Sequence, residues 1–337
     1  MSQLRKDPLE GRWIIISSNR LVKPLQSAEA GQFDKEELSC PFCAGNEAYT
    51  PPEIYSVREK EKWLVRVFSN NYPALRIEGD VERAGHGIYD YMNGVGAHEI
   101  IAETPEHKGS LADLDMKHYL ALIKSFKSRL TDLEKDLRLK YIMVFKNKGY
   151  LAGAHIFHSH SQLIAVPVIP KRVKEKLEYA KSYFRLKERC IYCDVIKQEK
   201  DDKVRIIDEN DKFISFMPFA STFPFELMVL PKKHRYDFKL IKDDEIEQFA
   251  SILKRSLLRI KNGLSDPAYN FILYTIPNVA ADIDHGRQWE TIYEDYHWHL
   301  EIIPRLTNVA GFEWGSGFFI NPTPPEESAE FLRNVEI

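Results

Sequence analysis

The stretch His158-Ser159-His160-Ser161-Gln162, which leads into the apolar run Leu163-Ile164-Ala165-Val166, determines how the rest of the chain is interpreted. Successive side chains of an extended chain point to opposite faces, so His158, His160 and Gln162 share one face of a predicted strand. Two imidazoles and an amide on that face can bind a metal ion, a phosphoryl group or a polar ligand. The alternative is a polar strand edge with two surface histidines. The partners found elsewhere in the chain favour the first interpretation.

The composition is that of a globular protein without bulk affinity for nucleic acid or lipid. The chain has 337 residues, 44% of them hydrophobic, which is enough for one large domain or two ordinary ones. The formal net charge is -3, so neither nucleic acid nor an anionic membrane is an expected partner. The polar start lacks a signal-peptide core, and no uncharged apolar run reaches the roughly 18 residues of a membrane span. We therefore expect a cytoplasmic protein.

Matched features divide the chain into two similar halves. Each half opens with a C-x-x-C pair, Cys40 and Cys43 or Cys190 and Cys193, and continues through a histidine-containing turn into a long helical pattern. Each half then closes with H-x-H before an apolar strand. The sequence therefore predicts an α+β fold of two halves, residues 1–170 and 171–337, related by internal duplication. Each half is expected to be an antiparallel sheet packed with a long helix.

The periodicity of the apolar residues predicts individual elements within this plan. Ser110 is the expected cap of the first long helix, and the glycine-spaced segment 79–96 is predicted to be a loop. The second C-x-x-C is expected to be followed by strands, without a helix between them. The predicted strands are 12–16, 63–68, 98–102, 140–146, 162–168, 213–216, 226–230, 270–274 and the last one within the run 297–304, and the predicted helices are 111–138, 173–189 and 243–261.

The cysteines and histidines form two candidate metal sites. Two thiolates and two imidazoles make a closed tetrahedral zinc site with no position left for water, which indicates a structural role. In a cytoplasmic protein such cysteine pairs favour metal binding over disulfides. The alternative is free buried thiols with unrelated histidines, and His285 is an alternative ligand to His297. The two sets are Cys40, Cys43, His107 and His158, and Cys190, Cys193, His234 and His297.

If His158 is bound to metal, His160 is left facing a pocket. A neutral imidazole is a good nucleophile toward phosphorus, and the phosphoramidate it forms can be handed on. Gln162 lies on the same face and could donate to the phosphate oxygens, as could the turn Asn147-Lys148-Gly149, with Lys148 the weakest candidate. The second half has His299 and Glu301 at the matched places, and a carboxylate there would repel phosphate. The second half is therefore predicted to have lost the chemistry.

At this point the sequence resembles a known family. The segment H-S-H-S-Q, preceded by Asn147-Lys148-Gly149, resembles the active-site segment of the galactose-1-phosphate uridylyltransferase family within the histidine-triad superfamily. The resemblance extends over nearly the whole chain. The other matching segments are Arg12-Trp13-Ile14 to Pro24, Cys40-Pro41-Phe42-Cys43, residues 68–75 and Pro105-Glu106-His107.

The resemblance implies a double displacement and a fold of two histidine-triad-like halves, assembled as a homodimer. His160 would attack the α-phosphate of a nucleotide sugar, release a sugar 1-phosphate, and pass the nucleotidyl group to a second phosphate-bearing acceptor, with Gln162 at the transferred phosphoryl group. His155 stands where the family usually has a serine that helps to hold the phosphates. The residues implied to contact substrate are Phe42, Asn70, Asn71, Tyr72, Asn147, Gly149, His155 and, from the C-terminal run 310–322, Phe312, Gly317, Phe319 and Asn321.

Two branches of the family compete for the substrate. Uridylyl transfer from UDP-glucose to galactose 1-phosphate is the first interpretation, because short microbial chains of this pattern are grouped with the uridylyltransferases. Adenylyl transfer from ADP-glucose to phosphate is the second, because H-S-H-S-Q, the second C-x-x-C and the C-terminal run are similar to plant ADP-glucose phosphorylase. A histidine-triad hydrolase and a zinc-bound scaffold without activity are further alternatives.

Overall fold

The computed structural model describes residues 2–17, 40–281 and 289–337. Two parts of the sequence predictions fall outside these ranges. They are the end of the family-like segment that reaches Pro24, and the alternative metal ligand His285. Among the described residues, no helix is both long and apolar enough to cross a membrane.

In the described part of the chain, fifteen strands form three sheets, of which the largest has ten strands. The strands in chain order are β1 (Gln3–Lys6), β2 (Trp13–Ile16), β3 (Glu53–Glu59), β4 (Lys62–Ser69), β5 (Ala84–His86), β6 (Tyr89–Tyr91), β7 (Ala97–Ala102), β8 (Tyr141–Lys148), β9 (His160–Val166), β10 (Ile206–Glu209), β11 (Phe213–Phe216), β12 (Leu227–Pro231), β13 (Tyr269–Tyr274), β14 (His299–Pro304) and β15 (Phe319–Asn321). The helices are α1 (Met116–Leu133), α2 (Lys171–Lys187), α3 (Ile191–Asp202), α4 (Asp243–Gly263), α5 (Ile292–Asp295), α6 (Gly311–Ser316) and α7 (Pro325–Arg333).

The large sheet contains both halves of the predicted duplication. Its order is β10-β11-β12-β14-β13-β8-β9-β7-β4-β3, and its neighbouring strands are antiparallel. The central pair is β13 and β8, one from each half. Next to it on each side lies the strand that carries the second histidine of the H-x-H pair, β14 or β9, and three more strands of that half follow. The α+β class and the two-half plan are confirmed. The sheets predicted for the two halves are joined into one because β8 pairs with β13, which covers an edge that each half would otherwise expose.

The two faces of the sheet are covered differently. Helices α1 and α4 pack side by side on one face, and their buried residues Phe126 and Leu253 belong to one core that spans both halves. On the opposite face α2 and α3 cover the second half, with Leu177 and Tyr192 in their own cluster. The first half carries there a smaller cluster around Phe42 and the first cysteine pair. This difference leaves the two H-x-H strands in unlike surroundings.

Several predicted elements are corrected by the structure. The helix predicted for 111–138 begins with a short 3₁₀ turn, Leu111–Asp113, and Ser110 makes no side-chain cap among the described residues. The second C-x-x-C opens helix α3, which the sequence interpretation missed. The predicted loop 79–96 contains the hairpin β5–β6. The strand predicted for 162–168 is β9, which begins at His160 and ends at Val166. It ends there because Pro167 and Pro170 follow.

Candidate active site and metal centres

The first predicted metal set is brought together in the first half. The ligand atoms of Cys40, Cys43, His107 and His158 all lie within 4.8 Å of one another. The Nδ1 atom of His158 is 3.6 Å from the Cys40 sulfur and 3.5 Å from the Cys43 sulfur, and His107 Nδ1 is 3.3 Å from the Cys43 sulfur. Zinc–sulfur and zinc–nitrogen bonds at a tetrahedral angle place sulfur and nitrogen about 3.6 Å apart. The four residues therefore fit a zinc ion.

The surroundings of His158 select the nitrogen that would bind the metal. His158 Nε2 donates to the carbonyl oxygen of Thr104 at 2.8 Å, which leaves Nδ1 with its lone pair toward the sulfurs. A histidine ligand in a metal site typically donates its other N–H in this way. Burial lowers the pKa of His158 to about 4, so the ring is neutral at pH 7, as a metal ligand must be.

The second predicted set repeats the arrangement in the second half. Cys190, Cys193, His234 and His297 also lie with their ligand atoms within 4.8 Å. The Cys193 sulfur is 3.6 Å from His234 Nδ1 and 3.8 Å from His297 Nδ1. His234 Nε2 donates to the carbonyl oxygen of Tyr293 at 2.9 Å. This set also has the chemistry and spacing of a tetrahedral zinc site.

The backbone next to His160 determines which of its ring nitrogens carries the proton. Its Nδ1 lies 2.8 Å from the carbonyl oxygen of His158, an acceptor, so Nδ1 carries the proton and Nε2 the lone pair. Within residues 2–17, 40–281 and 289–337 no hydrogen bond occupies Nε2. Burial lowers the pKa of His160 to about 4, and the ammonium of Lys146 adds to this effect. The ring of Phe42 stands edge-on to the His160 ring, with 5.2 Å between centroids.

Gln162 is connected to the predicted nucleoside turn through His98. His98 Nε2 is 2.9 Å from Gln162 Oε1. His98 Nδ1 accepts the backbone N–H of Ala74 at 3.2 Å, which places the proton on Nε2, toward Gln162. The Gln162 oxygen is thereby engaged, and its NH₂ group remains the end that can donate to a phosphate. The sequence interpretation gave His98 no role beyond starting a strand.

The turn before the H-x-H strand borders a cavity of about 840 Å³ at the junction of the halves. Asn147 lines it, and Asn147 Oδ1 accepts from Asn270 of the second half at 2.8 Å, so the orientation of the Asn147 amide is fixed. Gly149 has a φ of +84°, and a Cβ there would come within 2.8 Å of the Ala268 side chain. Glycine is therefore required at this position.

The other predicted substrate residues are spread over three environments. Asn71 and Tyr72 are exposed in the turn after β4, as is His155 beyond Gly153. Phe319 lines the cavity, whereas Phe312 and Gly317 lie on exposed parts of α6 and its end. Asn321 is fully buried, and both ends of its amide are hydrogen bonded within the protein, to Ser221 and Thr323. Lys148, the weakest candidate, pairs with Asp266 at 2.6 Å.

The matched place in the second half is filled by the protein itself. His299 keeps the local arrangement, with Nδ1 3.0 Å from the carbonyl oxygen of His297, but its ring stacks on Tyr274 at 5.0 Å and is fully buried. Glu301 Oε1 lies 2.7 Å from the ammonium of Lys176, a buried residue of α2. Burial would raise the pKa of Glu301, but Lys176 lowers it well below its usual range. These contacts agree with the prediction that the second half has lost the chemistry.

The comparisons with known proteins identify the family. A family model described as the N-terminal domain of galactose-1-phosphate uridyl transferase matches residues 1–170, and the C-terminal domain model matches residues 176–329. ADP-glucose phosphorylase of Arabidopsis thaliana is 35% identical over 99% of this chain and 93% of its own. The galactose-1-phosphate uridylyltransferase of Thermotoga maritima is 27% identical over 100% of this chain and 99% of its own.

A solved structure gives the same result at the level of the fold. The Arabidopsis thaliana ADP-glucose phosphorylase, crystallised with bound ADP-glucose, superposes with a TM-score of 0.83 at 33% identity, and the match covers 100% of both chains. Together with the two domain models, which match most of the chain, this similarity shows that the protein belongs to the galactose-1-phosphate uridyl transferase family, whose members are nucleotidyltransferases.

Proposed function

We propose that this protein transfers a nucleotidyl group from a nucleotide sugar to a second phosphate-bearing acceptor through a covalent intermediate on His160. The observation that carries the proposal is the hydrogen bond from His160 Nδ1 to the His158 carbonyl oxygen, at 2.8 Å. It directs the lone pair of Nε2 away from the strand, on the face that also carries Gln162.

The transfer would take place in two steps. His160 Nε2 forms a bond to the α-phosphorus, the bond from that phosphorus to the bridging oxygen breaks, and sugar 1-phosphate leaves with the electron pair. The acceptor's phosphate oxygen then attacks the same phosphorus, and the bond to Nε2 breaks. The side-chain amides of Gln162 and Asn147 donate to the phosphoryl oxygens as negative charge develops there. The carbonyl of His158 stabilises the charged ring of the intermediate.

Two substrate pairs fit this mechanism. The first is UDP-glucose with galactose 1-phosphate, which agrees with the family models and with the uridylyltransferase names of relatives such as that of Thermotoga maritima. The second is ADP-glucose with phosphate. It is favoured by the 35% identity to ADP-glucose phosphorylase over nearly the whole chain. Both pairs use the same nucleophile, so one experiment can separate them.

We propose the remaining roles as follows. Both Cys/His sets would hold structural zinc, since four protein ligands leave no coordination position for a substrate. Residues 1–170 would carry the chemistry and residues 171–337 would support it, with Phe312, Gly317 and Phe319 on the substrate side and Phe42, Asn70, Asn71, Tyr72, Gly149 and His155 around the donor. Asn321 is fully buried in β15 and would contribute only by supporting this side. A cytoplasmic location is part of the proposal, because thiolate ligands favour a reducing compartment. The resemblance to the family implies a homodimer.

The test is to capture the covalent intermediate. The protein is incubated separately with UDP-glucose and with ADP-glucose, and the mass of the peptide containing His160 is measured. A uridylyl adduct that galactose 1-phosphate removes supports the first substrate pair, and an adenylyl adduct that phosphate removes supports the second. The absence of any adduct in a protein that binds nucleotide would contradict the proposal.

The control variant is His160→Ala. We expect it to form no adduct and to keep the zinc content of the parent, because His158 and not His160 is the proposed ligand. Loss of zinc in this variant would show that the roles of the two histidines are assigned wrongly.

A further inference from the structure

The serines of the H-S-H-S-Q stretch lie on the side of the segment opposite to His160 and Gln162. Ser159 is 2% exposed and Ser161 is fully buried. Each hydroxyl donates to a different oxygen of the same carboxylate: Ser159 Oγ to Glu103 Oε2 and Ser161 Oγ to Glu103 Oε1, both at 2.5 Å. The carboxylate of Glu103 therefore accepts hydrogen bonds from the residues directly before and directly after His160.

Lys146 completes this arrangement from the neighbouring strand β8. Its Nζ lies 2.7 Å from Glu103 Oε2, 3.1 Å from Ser159 Oγ and 3.0 Å from the carbonyl oxygen of His160. An ammonium has three donors, so all of them are used. Lys146 is 1% exposed and Glu103 is fully buried, so the group is isolated from water.

A buried ion pair of this kind contributes little net stabilisation to a fold. Removing two charges from water costs several kcal/mol per ion, and well-packed apolar residues often give equal or greater stability. The contacts of this group instead converge on one peptide segment. They fix the carbonyl of His160 and the side chains of both its neighbours, and the ring of His160 is itself tied to the carbonyl of His158.

We propose that Glu103, Lys146, Ser159 and Ser161 are positioning residues that hold Nε2 of His160 in line with the reacting phosphorus. The inference rests on the proposed function, because it concerns the same nucleophile. The network touches neither the substrate nor the phosphoryl group. It acts through the backbone of residues 158–161, and a displacement of about 1 Å at a reacting atom can cost about 100-fold in rate.

The experiment uses the double variant Ser159→Ala/Ser161→Ala, which keeps the Glu103–Lys146 ion pair. The rate constant of adduct formation is measured in single-turnover experiments with the nucleotide sugar that labels the parent, together with the dissociation constant of the corresponding nucleoside monophosphate and the zinc content. We expect adduct formation to slow about 10- to 100-fold, with nucleotide affinity and zinc content unchanged. Ser182→Ala is the control, because Ser182 is an exposed serine of α2 whose hydroxyl bonds to Glu178.

The outcomes distinguish this inference from the proposed function. If the parent forms no adduct, the proposed function fails. If the parent forms the adduct and the double variant matches its rate, the positioning role is wrong. A parallel loss of rate, nucleotide affinity and zinc would also overturn it, since the network would then support the site as a whole. If the double variant does not fold, Ser161→Ala alone is measured in the same way, and a parental rate again overturns the inference.

Discussion

At the scale of single residues, the first half differs from the second in what surrounds the H-x-H histidine. Both His160 and His299 donate from Nδ1 to the carbonyl two residues before them. The face of His160 continues to Gln162 and His98, whereas the face of His299 is closed by Tyr274, Glu301 and the ammonium of Lys176. The same local geometry therefore occurs once in the candidate site and once in a core.

His98 is the residue of the site that we expect to control the orientation of Gln162. His98→Ala removes the donor to the Gln162 oxygen and the acceptor for the Ala74 N–H, so the amide of Gln162 can rotate. We expect kcat/KM to fall about 10-fold or more, which corresponds to one lost hydrogen bond near a charged group. Steady-state kinetics measure the effect, and His86→Ala, an exposed histidine of the β5–β6 hairpin, is the control. Unchanged kinetics in His98→Ala would exclude this role.

The sequence could predict the site residues that form a local pattern, but not those whose partners lie far away in the chain. Period-two alternation places His160 and Gln162 on one face, and the C-x-x-C pairs indicate metal ligands. Both patterns can be recognised from the sequence because each spans only a few residues. The side chains of Glu103 and His98 bond instead to residues in β9 or directly before it. Their hydrogen bonds reach 56 and 64 positions along the chain, and only the strand register brings the partners together.

At the scale of elements, the C-x-x-C pairs join separate parts of each half. The first ties the segment at Cys40 to the turn at His107 and to the entry of β9, and the second ties the start of α3 to the turn after β12 and to the entry of β14. The sequence could not show that the second pair begins a helix, because Ile191-Tyr192-Cys193 is equally typical of a strand.

We expect two zinc ions per chain, and their loss should have different consequences. Cys43→Ser should remove one ion and abolish adduct formation, because His158, which precedes the nucleophile by two residues, loses its anchor. Cys193→Ser should remove the other ion and lower stability with a smaller effect on adduct formation. Metal analysis, thermal unfolding and the adduct assay measure these effects. Equal loss of the adduct in both variants would contradict the division of roles between the halves.

Helix α2 contributes a buried cation to the closed side of the sheet. Lys176 lies 2.5 Å from Glu10 and 2.7 Å from Glu301, and its ammonium faces the ring of Tyr274 at 4.7 Å. Lys176→Met leaves the carboxylates without their main partner in a dry environment, so we expect a loss of about 3–5 kcal/mol in the free energy of unfolding. Lys174→Met, at an exposed position of the same helix, should cost less than about 1 kcal/mol. Urea unfolding compares them, and similar losses would refute this assignment.

At the scale of the whole molecule, the two halves share one sheet and one core. Periodicity could predict strands in each half, but it could not predict that the two sheets join. The joining depends on the matched edges of β8 and β13, which are 121 positions apart in the chain. The pairing continues the hydrogen-bond ladder across the halves, and α1 packs against α4 on the covered face. The side chain of Asn270 also orients Asn147, so the second half takes part in shaping the cavity beside the site.

Because the two halves share one sheet and one core, we predict that they unfold cooperatively. Because one core contains buried residues of both halves, we expect urea to unfold the zinc-loaded protein in a single transition. Pulsed hydrogen exchange read by mass spectrometry should show peptides of β9 and β14 losing protection at the same urea concentration. Leu253→Ala, in the core on α4, should lower the free energy of unfolding by about 2–5 kcal/mol and shift both peptides together. Glu247→Ala, exposed on the same helix, is the matched control. If Leu253→Ala releases β14 while β9 stays protected, the halves are separate folding units, and the continuous sheet joins two domains that fold independently.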